Sequence, residues 1–103
     1  MAGGVYYTRE APGRWGSKVI SHQPIIEIDG SRVKVITPHG MHGYQHYIVK
    51  HVILNDRFEF IAEKLFDPEQ DSAPVSEFSL NDYRGALYAL SVCNLHDTWL
   101  SRA

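Results

Sequence analysis

Cys93 is the only cysteine of this 103-residue chain, and His96 and Trp99 follow it at three-residue intervals. A thiol fixed beside an imidazole serves either nucleophilic chemistry or metal binding. Five further histidines decide between the two. His22 precedes the β-branched run Pro24 to Ile28. His39 and His42 lie in Thr37 to Tyr44, a segment broken by Pro38, Gly40 and Gly43. His46 opens the next apolar run, and His51 lies five residues beyond it. His22, His39, His46, Cys93 and His96 all fall in loops or at strand ends, positions that a sandwich can gather at one end of its sheets. His46 and His51 are an odd number of residues apart, so a regular strand points them to opposite faces. His46, nearer the loop, is the better ligand, and His51 reads as an ordinary strand histidine. Four imidazoles and a thiolate suit iron or copper, whereas calcium and magnesium prefer oxygen. A structural zinc is content with four ligands. Five nitrogen and sulfur donors therefore point to a redox metal with an open position.

The elements that must position these residues read as strands. Pro24 to Ile28, a turn at Asp29-Gly30, and Arg32 to Ile36 predict a hairpin. Tyr47 to Leu54 predicts a strand turned by Asn55-Asp56. Arg57 to Phe66 begins as a strand, and its later half has the composition of a short helix. Val75 to Leu80 predicts a strand, Asn81 to Gly85 a turn, and Ala86 to Val92 a buried strand that delivers Cys93. No segment carries a sustained helical stripe. The expected fold is all-β, an immunoglobulin-like sandwich of about seven strands. Residues 1–103 read as one domain, with 1–18 an irregular arm that Trp15 pins to the body and to which Tyr6 and Tyr7 add a short edge strand.

Composition narrows the function classes. Hydrophobic residues make up 44% and charged residues 21% of the chain, a globular balance. A net charge of −2 gives no reason to expect nucleic acid or an anionic membrane as partner. A lone cysteine excludes an internal disulfide and suits a reducing compartment. The first residues lack a signal-peptide pattern, and no apolar run approaches the ~20 residues of a membrane helix. The expected location is the cytoplasm.

The segment Gly85-Ala86-Leu87-Tyr88-Ala89-Leu90-Ser91-Val92-Cys93-Asn94-Leu95-His96, with Trp99, resembles the C-terminal motif of superoxide reductases, the neelaredoxin and desulfoferrodoxin family. His22-Gln23-Pro24-Ile25-Ile26-Glu27 is similar to that family's His-Val-Pro-Val-Ile-Glu segment. Pro38-His39-Gly40-Met41 and His46-Tyr47-Ile48 are similar to its Pro-His-Pro-Met and His-Tyr-Ile elements. The resemblance implies one mononuclear iron per chain, cycling between Fe2+ and Fe3+. Its equatorial ligands would be His22, His39, His46 and His96, and its axial ligand the Cys93 thiolate. It implies reduction of superoxide to hydrogen peroxide with one electron from rubredoxin or a similar small donor, and a homotetramer (or homodimer). The iron domain held by four cysteines in some members is not expected here. Four neutral imidazoles and one thiolate leave ferrous iron at a net charge of about +1, which attracts an anion. Backbone N–H groups of Leu95 and His96 are candidates to bond the sulfur.

The sequence departs from the family pattern in three places. Ile20 and Ser21 stand where the family commonly has Glu-Lys, so the carboxylate that caps the oxidised iron is missing. Lys18, four residues before His22, is the nearest cation: either it stays solvated in the loop, or the loop folds back and sets its ammonium over the open position to steer superoxide. His39 and His46 are seven residues apart where the family has six. His42 is the alternative ligand; Pro38 and Met41 favour His39. Asp97-Thr98 replaces the usual Gly-Leu, and aspartate tolerates a left-handed backbone. Two rival functions remain. A blue-copper electron carrier also pairs a late cysteine with histidine, but it normally adds a methionine soon after, and residues 97–103 contain none. A non-catalytic interaction sandwich would leave the histidines scattered.

Overall fold

The computed structural model describes residues 6–41, 43–80 and 85–103. His42 and all but Gly85 of the turn expected over Asn81 to Gly85 lie outside them. The expected all-β architecture is what the chain forms. Eight strands are described: β1 (Tyr6–Tyr7), β2 (Ile25–Asp29), β3 (Arg32–Ile36), β4 (Ile48–Leu54), β5 (Phe60–Leu65), β6 (Val75–Ser79), β7 (Tyr88–Cys93) and β8 (Asp97–Arg102). They form a five-stranded sheet in the order β1-β8-β7-β4-β5 and a three-stranded sheet in the order β2-β3-β6. The sheets pack through Val33 and Val35 of β3 against Ile53 of β4, Leu87 and Ala89, all at most 3% exposed. Val33 and Val35 are two apart on β3, which puts them on one face of that strand, and Leu87, just before β7, is likewise two residues from Ala89.

The β2–β3 hairpin follows from its turn. Asp29 pairs with Arg32 across Gly30-Ser31. Gly30 sits at φ +60°, where a glycine carries no steric cost. Between β4 and β5, Asn55 makes the turn: its Oδ1 accepts from the N–H groups of Arg57 and Glu59 at 2.8 and 2.9 Å. The helix-like second half of Arg57 to Phe66 is strand in the structure. Ala62-Glu63-Lys64-Leu65 favours helix locally, but its backbone is claimed by the ladder to β4, from Lys50↔Leu65 to Ile53↔Ala62.

Strand β8 was not expected from the sequence. It lies between β1 and β7, and Thr98, Trp99 and Leu100 are buried in succession. Burial on both faces erases the alternation that marks a half-exposed strand. The N-terminal arm is more regular than expected: 3₁₀ turns span Gly13–Lys18 with a kink at Trp15, and a one-turn helix, α1, spans Val19–His22. Tyr6 and Tyr7 do add the short edge strand, parallel to β8. Gly13, at φ +57°, sits against the Tyr7 ring, where a Cβ would come within 2.8 Å of a ring carbon. No helix among the described residues is long and apolar enough to cross a membrane.

Candidate metal centre

The chain brings four donors together: one ligand atom each from His22, His46, Cys93 and His96, all within 4.8 Å of one another. His22 ends α1, and Gln23 closes that turn by donating its N–H to the Val19 carbonyl at 2.9 Å. Pro24, which has no N–H to continue the helix, then turns the chain into β2. Cys93 is the last residue of β7, is 4% exposed, and packs with Ile48 and Phe66. His96 closes the Asn94–His96 turn between β7 and β8. His46 follows the 3₁₀ turn Gly43–Gln45, two residues before β4 begins. It is therefore not on the strand, and the parity argument against His51 does not apply to it.

His39 stands at the border of the group. Its Nε2 lies 3.1 Å from His46 Nε2, and its ring meets the rings of His22 and His46 edge-on at 4.7 and 4.6 Å. His42, its alternative, is outside the described residues. His51 sits apart in the core, fully buried, its two ring nitrogens bonded to Thr37 Oγ1 at 2.8 Å and Ser76 Oγ at 2.7 Å. Thr37 Oγ1 also bonds Ser91 Oγ at 2.7 Å. These four residues join the two sheets by a closed polar network.

The hydrogen bonds indicate which nitrogen His22 and His39 offer. His22 Nδ1–H donates to the Lys18 carbonyl at 3.2 Å and to Ser21 Oγ at 2.7 Å. A carbonyl can only accept, so the proton is on Nδ1 and the Nε2 lone pair faces inward. His39 Nδ1–H donates to the Gly40 carbonyl in the same way and leaves its Nε2 lone pair toward His46. His22 Nε2 is 3.1 Å from His96 Nδ1, and Cys93 Sγ is 3.7 Å from that same atom. The sulfur's contact is thus with the His96 ring; among the described residues the N–H groups of Leu95 and His96 make no bond to it.

These distances match what a metal requires. With metal–nitrogen bonds of about 2.1 Å, neighbouring donors stand ~3.0 Å apart and opposite ones ~4.2 Å. Both 3.1 Å nitrogen pairs have the first separation, and the 4.8 Å envelope admits the second. Two of the imidazoles are also biased toward the neutral form. Burial pushes His22 down to about 4, and the neighbouring His39 and His96 add to the effect. Burial lowers His96 as well, followed by the positive charge of Lys18. Lys18 is half-buried at the end of the 3₁₀ helix, close enough for its charge to act on that ring.

Ser21 and Asn94 escape a reading of the sequence, while Trp99 is marked by its spacing from Cys93 and His96. Ser21 orients His22. Trp99, fully buried, donates its Nε1–H to the His96 carbonyl at 3.0 Å. Asn94 joins the His46 segment to the cysteine turn: its Oδ1 accepts from Tyr47 N–H at 3.0 Å, and its Nδ2 donates to the carbonyls of Tyr44 and Gln45 at 3.2 and 3.1 Å. The one available signal was position, since Asn94 lies between Cys93 and His96. Trp15 does pin the arm, through a 2.7 Å bond from Nε1–H to Asp97 Oδ2. Asp97 does take the left-handed backbone, at φ +66°.

Fold and site together define an all-β, two-sheet protein with a histidine–cysteine cluster able to hold a metal. The chain belongs to the desulfoferrodoxin family, whose model matches residues 15–102. A comparison with curated protein sequences found no match. Among solved structures, a variant of the superoxide reductase (neelaredoxin) from Ignicoccus hospitalis is 26% identical with a TM-score of 0.82, covering 96% of this chain and 91% of that one. The superoxide reductase from Treponema pallidum is 29% identical with a TM-score of 0.64, covering 80% of this chain and 66% of that one. A superoxide reductase from Giardia intestinalis, 22% identical with a TM-score of 0.68, shares the fold, with 81% of this chain and 96% of that one covered.

Proposed function

We propose that this protein is a superoxide reductase that holds one iron per chain on His22, His39, His46, His96 and Cys93. The observation that carries this reading is the convergence of imidazole nitrogens and one buried thiol at metal-ligand separations, in a chain of the desulfoferrodoxin family. An iron bound there would supply one electron for the reduction of superoxide, with two protons, to hydrogen peroxide, and a donor of the rubredoxin type would replace that electron. The chain's own residues do the rest. The Lys18 carbonyl and Ser21 hydroxyl keep the proton of His22 on Nδ1, and the Gly40 carbonyl does the same for His39. Lys18 also supplies a positive charge beside His96, which favours approach of an anion. Ile20, 84% exposed at the position where the family commonly has glutamate, offers no carboxylate to compete with that anion.

The blue-copper alternative is not favoured. Such a site takes two histidines and a cysteine, and the imidazoles here exceed that number. The rest of the reading extends the same resemblance: residues 1–103 act as one domain in the cytoplasm. Exposed Ile25, Ile28, Phe60 and Leu65 support association into a homotetramer or homodimer. The reaction stoichiometry tests the assignment. Reduced, iron-loaded protein mixed with limiting superoxide should yield one peroxide per superoxide and no dioxygen. Half that yield, with dioxygen released, would mean dismutation and overturn it.

A further inference from the structure

Asp97 links the cysteine turn to the N-terminal segment through a single carboxylate oxygen. Oδ2 accepts from Trp15 Nε1–H at 2.7 Å and from Arg14 Nη2–H at 2.9 Å. The Arg14 guanidinium lies 4.7 Å over the Trp15 ring, and that ring meets His96 edge-on at 4.9 Å. Trp15 sits at the kink between the two short 3₁₀ turns that make up Gly13–Lys18, three residues before Lys18, and the Lys18 carbonyl holds the His22 proton. One side chain is therefore bonded on one side to the residue after His96, and on the other to the segment that carries Lys18 and leads into His22. Asp97 is held at φ +66°, a conformation that disfavours any residue with a Cβ. The two charge-assisted bonds offset that strain. Arg14 already has its charge engaged by Asp97, which leaves Lys18 as the cation acting on the His96 ring.

We propose that Asp97 is a positioning residue of the metal centre: its carboxylate latches the 13–18 segment onto the cysteine turn and so sets Lys18, His22 and His96 relative to one another. The part of this that concerns superoxide rests on the function proposed above; the latch itself does not.

Three variants of the iron-loaded protein test it. Asp97→Gly removes both bonds and suits the left-handed backbone, so the turn survives. Trp15→Phe removes one bond and keeps a ring. Asp97→Asn keeps an oxygen that can accept from Trp15. The first readout needs no superoxide: the rate of tryptic cleavage after Arg14 and Lys18, and iron retention against a chelator. Asp97→Gly should speed cleavage at least about tenfold and weaken iron retention by a similar factor. Trp15→Phe, which loses one bond, and Asp97→Asn, which keeps an acceptor but loses the charge, should each fall between it and the parent. The second readout is the ionic-strength dependence of the superoxide rate constant, taken on the charge-neutral Trp15→Phe, which should flatten it part of the way toward Lys18→Ala, with no further loss when Trp15→Phe is added to Lys18→Ala. Unchanged cleavage and iron retention in Asp97→Gly overturn the latch. If those two change while Lys18→Ala leaves rate and salt dependence untouched, the latch stands and the steering role of Lys18 falls.

Discussion

Acidification should expose the energetic role of His51. This imidazole is fully buried, and burial alone holds it down to about 4 from its ordinary 6.5. Both ring nitrogens are engaged by hydroxyls, Thr37 and Ser76, and Phe66 packs edge-on at 4.9 Å. Among the described residues the network is made of hydroxyls, with no carboxylate to stabilise a charged imidazole. A histidine depressed in the fold binds its proton first in the unfolded chain, so stability rises with pH between the two values and falls as pH drops. The stability withdrawn once pH is below both values is about 3 kcal/mol, of which about 2 kcal/mol is gone by pH 5. Urea denaturation at steps between pH 7 and pH 4.5 reads this directly when the parent is compared with His51→Gln, which keeps the hydrogen-bonding capacity and cannot charge. Protonation of the metal ligands costs both proteins equally and cancels in the difference. His51→Gln should be the less stable protein at pH 7, and the two curves should converge by about 2 kcal/mol by pH 5. Curves that stay parallel across this range would refute the account of His51 as a neutral, network-bound core residue.

Three further outcomes follow from the site. Asn94→Ala should cost about 1–2 kcal/mol of stability, since the freed groups are exposed and regain water. It should also weaken iron retention about tenfold, measured by chelator competition; full retention would mean that the Asn94 bonds do not hold His46 in place. Trp99→Phe keeps most of the buried volume but strands the His96 carbonyl, and should lower the thermal midpoint by an amount equivalent to about 1–3 kcal/mol. Lys18→Ala should slow the reaction with superoxide and flatten its salt dependence; if both are unchanged, Lys18 is only a solvated lysine.

The parts of this molecule legible in the sequence are those set by neighbours in the chain. Asp29-Gly30 and the β-branched runs around it specify the β2–β3 hairpin, and the Asn55 turn closes β4 onto β5. Strand β8 is invisible by pattern because Thr98, Trp99 and Leu100 are all buried. The second half of β5 reads as helix because its residues favour one, and only the ladder to β4 overrides them. At the site, the sequence singled out the donors by residue type and loop position, and the structure gathers His22, His46, Cys93 and His96, with His39 beside them. The residues that orient the donors were not legible. The partners of Asp97 lie 82 and 83 positions away, and those of Asn94 lie 47 to 50 away. No local pattern encodes such contacts. Ser21 is adjacent to His22, yet nothing in the sequence says that a one-turn helix will turn its hydroxyl onto the ring.

The central proposal is that Cys93 would hold an iron together with the clustered histidines. Iron content and the visible spectrum of the oxidised protein, taken together for the parent and for Cys93→Ser, test it most directly. The parent should carry one iron per chain and show a sulfur-to-iron charge-transfer band, and Cys93→Ser should lose that band even where iron is retained. A parent protein that binds no iron under reducing conditions, or a band that survives in Cys93→Ser, would contradict the assignment.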